Sequence, residues 1–155
     1  MTVQQWLDDT LKALITSYET EGRKASGNWA NQLEGVNERK GDSIIVTILG
    51  EKYTGAFETG RKPNSDQSPE AIKRWVGWAG NTIIADWVRD KGLSINPFAV
   101  AYKLATKGVE IPNQFNQGDM VGRTINDSRI KELIKAVGFA QSSELTSDVI
   151  RRLKR

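Results

Sequence analysis

The run of residues 42–49, DSIIVTIL, is the clearest strand pattern in this chain and limits the folds open to it. The run is rich in β-branched residues, follows the turn signal Gly41-Asp42, and ends at Gly50. An edge strand is predicted near residues 34–39, on the other side of that turn. Because the remaining pattern is helical or irregular, the 155 residues predict a single α+β domain with a small antiparallel sheet.

The first half of the chain is predicted to contain one long helix and two short ones. Apolar side chains recur at spacings of three and four over residues 3–21, as in an amphipathic helix. Thr2 and Gln5 match a capping box before this helix. A short helical turn is predicted near residues 29–33, and a second short helix over residues 51–59.

The second half is predicted to be mainly helical, with glycine, proline and capping residues as its boundaries. Residues 109–126 are rich in amide side chains and predict a long, flexible loop that becomes ordered on a neighbouring subunit. The predicted helix starts are Ser68-Pro69, Asn96-Pro97 and Asp127 or Ser128, the predicted breaks are Gly80-Asn81, Gly92, Gly108 and Gly138, and a last helix is predicted at about residues 143–154.

The chain lacks the residue types that most enzyme sites use. It contains no histidine and no cysteine, which removes the commonest acid–base, nucleophile and metal-ligand chemistry at neutral pH. Residues 55–62, GAFETGRK, have the glycine spacing of a phosphate-binding loop, but Arg61 and Lys62 stand where that loop needs lysine and a hydroxyl. We therefore expect no catalysis, no cofactor and no metal, and a protein that works by contact.

Positive charge is concentrated in the last five residues, RRLKR, of a chain whose net charge is +3. This cluster either complements the dipole at the end of a helix or binds phosphate or an acidic protein surface. A small nucleic-acid-binding module is therefore the rival class, and it predicts an affinity that falls steeply with salt. The longest apolar run, residues 44–49, is far shorter than the roughly 20 residues of a membrane-spanning helix, so we expect no membrane partner.

The tryptophans suggest both a core and a contact surface. Trp6, Trp75 and Trp87 coincide with or border apolar stripes and are predicted to pack in the core. Trp78 falls off the stripe of its helix, which favours a subunit interface, where tryptophan is enriched. Single exposed aromatic residues are also common on ordinary surfaces, so that alternative stays open for Trp78.

Residues 53–63, YTGAFETGRKP, follow the strand-like run and resemble the central Y-x-x-x-[FL]-E-x-G-R-x-P stretch of bacteriophage neck proteins. These proteins are also called tail-completion or head–tail joining proteins. The segments SPEAIKRWVGW and PFAVAYKLATKG are similar to the helices that follow in such proteins. The likeness covers about residues 35–115.

The resemblance implies a structural protein of the virion, at the head–tail interface of a tailed phage, made in the cytoplasm of the bacterial host. The implied fold is a long N-terminal helix packed on a small antiparallel sheet and followed by several helices. The implied partners are copies of the same chain in a sixfold or twelvefold ring, other connector, portal-side adaptor and tail proteins, and incidentally packaged DNA. A tail terminator or another minor tail or capsid component is the alternative within this class.

Interface roles are predicted mainly for the turn of this stretch and for the amide-rich loop. Glu58, Arg61 and Lys62 are expected on an exposed turn that sets the register between subunits by charge. Tyr53 and Phe57 fit core packing equally well. The predicted interface residues are Tyr53, Phe57, Glu58, Arg61, Lys62, Trp78, Asn113 and Asn116.

Overall fold

The structure is a computed structural model that describes residues 1–24, 26–114 and 116–153. Within that part of the chain, helices dominate and the strands form two small antiparallel pairs. The helices are α1 (Val3–Thr20), α2 (Asn28–Asn31), α3 (Thr54–Thr59), α4 (Pro69–Asn81), α5 (Ile83–Asp90), α6 (Pro97–Lys107), α7 (Met120–Thr124) and α8 (Asp127–Leu153). The strands are β1 (Glu34–Lys40), β2 (Ser43–Leu49), β3 (Gly60–Arg61) and β4 (Val109–Glu110).

The long helix α1 packs against the hairpin of β1 and β2, as the sequence predicts. Thr2 and Gln5 form the expected capping box, with the Thr2 hydroxyl accepting from the Gln5 backbone N–H at 3.1 Å. A Cβ atom at Gly35 of β1 would lie only 2.8 Å from the Leu7 side chain, so this glycine permits the close approach of helix and strand. The predicted α+β class is confirmed.

A first core cluster lies under α1 and joins it to α2 and α7. Leu14, Tyr18, Trp29 and Met120 are buried together, with the rings of Tyr18 and Trp29 4.7 Å apart. The Trp29 indole N–H donates to the Thr54 hydroxyl at 2.8 Å, which ties this core to the start of α3. Burial of the aromatic rings and of Met120 is the main stabilising contribution here.

A second core cluster holds α4, α5 and α6 together. Its buried residues are small or aliphatic, and Gly80 allows α4 and α6 to approach, because a Cβ there would lie 2.6 Å from the Phe98 ring. The cluster consists of Ala79, Ile84, Val88 and Ala101. In this helical layer, one side of α4 and one side of α6 face outward.

The short antiparallel pair of β3 and β4 joins the segment after α3 to the segment after α6. Gly60 pairs with Glu110, and Gly60 has a φ of 82° that only glycine adopts readily. A Cβ at Gly60 would stand 2.0 Å from the Val109 carbonyl oxygen, so the crossing of these strands leaves no room for a side chain.

Three sequence predictions about this architecture are wrong. Residues 109–126 do not form one long loop, because they include β4 and α7, and Met120 is fully buried in the first core. Gly138 does not end a helix, because α8 continues through it to Leu153, and an interior glycine costs only about 1 kcal/mol. Trp87 is exposed rather than in the core, because Ile84 and Val88 supply the buried face of α5.

Candidate subunit interface

The segment of residues 53–63 is built into the fold more deeply than its turn-like sequence predicts. Tyr53 precedes α3 and remains partly exposed, and its partial burial, followed by the nearby Glu51 charge, raises the pKa of its hydroxyl above the ordinary 10.0. The side chain of Phe57 lies outside the described part of the structure. Lys62 is exposed and lines, with Lys107, a cavity of about 520 Å³ beside β3 and β4.

Glu58 serves the interior of the protein. Its side chain is 18% exposed, that of Arg23 is 5% exposed, and Arg23 Nη1 lies 3.8 Å from Glu58 Oε1. The other carboxylate oxygen, Oε2, accepts from the Val121 backbone N–H at 3.4 Å, near the start of α7. Glu58 therefore ties α3 to α7 and to the segment after α1, and the expected exposed position for it is wrong.

Arg61 is likewise occupied within the chain. Its guanidinium group lies 4.5 Å from the Trp75 ring centroid, a cation–π distance. Arg61 Nη1 donates to the Leu104 carbonyl at 2.7 Å, and Nη2 donates to Asn64 Oδ1 at 2.6 Å. The group is held by partners from α4, α6 and the β3–α4 connection, so the exposed position expected for Arg61 is also wrong.

The two predicted amides of the loop after β4 stabilise that loop. Asn113 and Asn116 exchange backbone hydrogen bonds of 2.7 and 3.1 Å, and the Asn113 side chain donates to the Glu110 carbonyl at 2.9 Å. Asn116 Oδ1 accepts from the Gly118 backbone N–H at 2.8 Å. Both side chains therefore shape the path from β4 to α7.

Trp78 occupies the exposed position that its place off the apolar stripe predicts. It is 54% exposed, and its ring meets that of Trp75 edge-on at a centroid distance of 6.5 Å. It borders a cavity of about 400 Å³ together with Asp66 and Arg74. The structure thus brings Arg61, Trp75 and Trp78 into one neighbourhood, whereas Asn113 and Asn116 lie in a separate loop.

Two apolar surfaces were missed by the sequence reasoning about interfaces. The first, named here the α4–α6 groove, is a cavity of about 650 Å³ lined mainly by Ile72, Val76, Phe98 and Tyr102. The second, named the α8 tail, is residues 145–153, where Leu145, Val149 and Leu153 are exposed at a spacing of four. That spacing is visible in the sequence, but only the structure shows that nothing in the described chain covers it.

The described residues contain no cluster of potential metal ligands. No group of three or more potential metal-ligating acids occurs among residues 1–24, 26–114 and 116–153. In the same part of the chain, no helix combines the length and hydropathy needed to cross a bilayer.

The chain has no match among protein-family models, curated proteins or solved structures.

Proposed function

We propose that this protein is a structural subunit of the head–tail connector of a tailed bacteriophage, and that it acts as one copy in a closed homo-oligomeric ring. The proposal combines the resemblance of residues 53–63 to neck proteins with an α+β fold of the implied arrangement. Its location is the virion, and its partners are further copies, the portal-side adaptor and tail proteins.

The observation that carries the proposal is the amount of large apolar surface left uncovered in the single chain. The α4–α6 groove and the α8 tail expose aromatic and aliphatic side chains, including Tyr102 at 58% and Leu153 at 81%. Monomeric soluble proteins rarely leave large contiguous apolar patches in water. Two different uncovered surfaces suit a ring, in which each subunit contacts its neighbours head to tail.

The corrected places of Glu58 and Arg61 alter which residues we assign to contact between subunits. Both side chains are used inside the chain, so they support the interface by holding α3, α4 and α6 in place. Direct contact is assigned to Lys62 and Trp78, which are exposed. Tyr53 stays in the contact set, because its ring is only partly buried.

The proposal is tested by measuring the protein content of particles from the phage that encodes this chain. We expect quantitative mass spectrometry of purified tailed particles to find the chain at a fixed copy number that fits a ring. Deletion of its coding sequence should leave filled heads and tails that do not join. Infectious particles of normal form that lack the chain would overturn the proposal.

A small nucleic-acid-binding module is the second candidate, and the basic end of α8 favours it. Arg151 and Arg152 are exposed in the last turn of that helix, where they also complement its dipole. This candidate predicts tight DNA binding whose logarithmic affinity falls linearly with the logarithm of salt concentration. The connector proposal predicts a concentration-dependent ring and no such affinity for DNA.

A further inference from the structure

The outer edge of β2 is an open strand edge. In an antiparallel pair, alternate residues of each strand direct their backbone N–H and C=O groups away from the partner strand. Within the described residues, β2 pairs with β1 alone, and no backbone hydrogen bond joins residues 43–49 to any other segment. A row of unpaired backbone groups therefore runs along β2, and another extended strand satisfies such a row by adding to the sheet.

The side chains of β2 do not protect this edge. The strand, SIIVTIL, contains no charged residue, no proline and no glycine, and its register with β1 continues through all 7 residues without a bulge. Charges, prolines and bulges are the features by which proteins commonly prevent edge-to-edge pairing. β1 differs in this respect, because it carries four charged side chains, Glu34, Glu38, Arg39 and Lys40.

Burial indicates that β2 lacks a neighbour. Isoleucine and valine are among the residue types most often fully buried, yet no residue of β2 is buried in the single chain. Ile45 is 40% exposed and Leu49 is 49% exposed. A two-stranded hairpin is only marginally stable, whereas a sheet of three or more strands with an apolar face is stable. A further strand beside β2 would cover these side chains and extend the sheet.

A second copy of β2 fits this edge better than the other strands of the described chain. β3 and β4 have 2 residues each and pair with one another, and β1 would place charged side chains beside an uncharged row. Two copies of β2 placed antiparallel about Val46 pair all 7 residues of each strand. In this register Val46 faces Val46, Ile44 faces Ile48, and Ile45 faces Thr47. Each of these pairs joins two β-branched residues, which favour sheets and stabilise cross-strand contacts.

We propose that the β2 edges of two copies of this chain pair antiparallel about a two-fold axis at Val46. The two hairpins then form one continuous sheet with the strand order β1-β2-β2-β1. This inference goes beyond the connector function and does not depend on it, because a two-fold contact pairs copies whether or not a second contact closes a ring.

Cysteine cross-linking tests the pairing, since the native chain contains no cysteine. An Ile45→Cys chain and a Thr47→Cys chain with a different tag are mixed and oxidised. We expect the mixed disulfide to exceed the disulfides between like chains, because opposite Cα atoms of an antiparallel pair lie about 4.5–5.5 Å apart, within disulfide range.

The matched control moves one cysteine from β2 to β1. Glu38→Cys replaces Ile45→Cys, because Glu38 is exposed and is the β1 residue opposite Ile45 in the hairpin. In the proposed sheet, Glu38 is two strands away from Thr47 of the second copy. Two strand spacings are roughly 9–10 Å, beyond the Cα separation that a disulfide can bridge, so we expect no mixed disulfide.

The cross-linking outcomes separate this inference from the connector proposal. A closed ring without the Ile45→Cys to Thr47→Cys disulfide overturns the β2 pairing and leaves the connector proposal intact. The mixed disulfide in a species of only two copies supports the β2 pairing and counts against a ring. Disulfides only between like chains, or a mixed disulfide with Glu38→Cys, show another arrangement and overturn the β2 pairing.

A second measurement adds charge to the edge. We expect Thr47→Lys to raise the dissociation constant of the pair by about tenfold or more in sedimentation equilibrium, because it places two like charges close to the two-fold axis. Asn37→Lys adds the same charge at an exposed position of β1 and should change that constant by less than about twofold. Both positions are exposed, so the fold should be retained, as circular dichroism can verify. Equal effects of the two variants would show that net charge controls association and would overturn the β2 pairing.

Discussion

At Arg61, one guanidinium group connects β3 to α4 and α6. It lies over Trp75 and donates to Leu104 and Asn64, and a lysine ammonium cannot reproduce this planar set of bonds. We predict that Arg61→Lys lowers the free energy of unfolding by about 1–3 kcal/mol in urea titrations. Lys62→Ala, at the exposed neighbour, should change it by less than about 0.5 kcal/mol. Equal stability of Arg61→Lys and the native chain would contradict the structural role assigned to Arg61.

Asp66 is a titratable group that forms a hydrogen bond at the start of α4. Its carboxylate accepts from the Ser68 backbone N–H at 2.9 Å, and this bond lowers the pKa of Asp66 below the ordinary 3.8. A carboxyl whose pKa is lower in the folded state adds stability above pH 3.8, and that stability is lost as the pH falls through the folded pKa. We therefore predict that Asp66→Asn is less stable than the native chain at pH 6 and that the difference shrinks below pH 3.8. Urea midpoints measured from pH 6 to pH 3 check this, and a constant difference would contradict it.

The continuous helix α8 is the element that departs furthest from the sequence prediction. No heavy atom lies within 4 Å of a Cβ built at Gly138, and its φ is not in the left-handed region. We predict that Gly138→Ala raises the free energy of unfolding by up to about 1 kcal/mol, because alanine is the better helix former. Gly60→Ala is the contrasting variant, since its Cβ would strike the Val109 carbonyl, and it should be strongly destabilised. A loss of stability in Gly138→Ala would show that α8 breaks there.

The elements that sequence predicts well are those whose signals are local. The capping box at Thr2 and Gln5, the Ser68-Pro69 start and the β1–β2 turn each depend on neighbours a few residues away. The helix end predicted at Gly138 is wrong because glycine occurs both in helix interiors and at helix ends. Only the surrounding structure determines whether the helix ends there.

The tertiary contacts of the site could not be predicted in the same way. Glu58 meets Arg23 from a distant part of the chain, and Arg61 meets Trp75 only after α4 folds back. Met120 is buried because α7 packs against α1. No sequence pattern within residues 109–126 predicts that contact. Local sequence patterns identified residues 53–63 as a candidate interface segment. The residues that contact their side chains depend on the whole fold.

The described part of the molecule is a small folded body with two uncovered apolar surfaces, and it holds Glu58 and Arg61 in intramolecular contacts. In the proposed assembly, such a body would meet its neighbours through uncovered apolar surfaces, while Glu58 and Arg61 hold α3, α4 and α6 in place. We therefore expect assembly and folding to depend on different side chains, which variants can separate.

The central claim is that this chain assembles with copies of itself. Native mass spectrometry across the micromolar range tests that claim most directly. The account predicts one closed species of six or twelve copies, with no open-ended series of larger oligomers. A monomer at every concentration, or a dimer that grows no further, would contradict it.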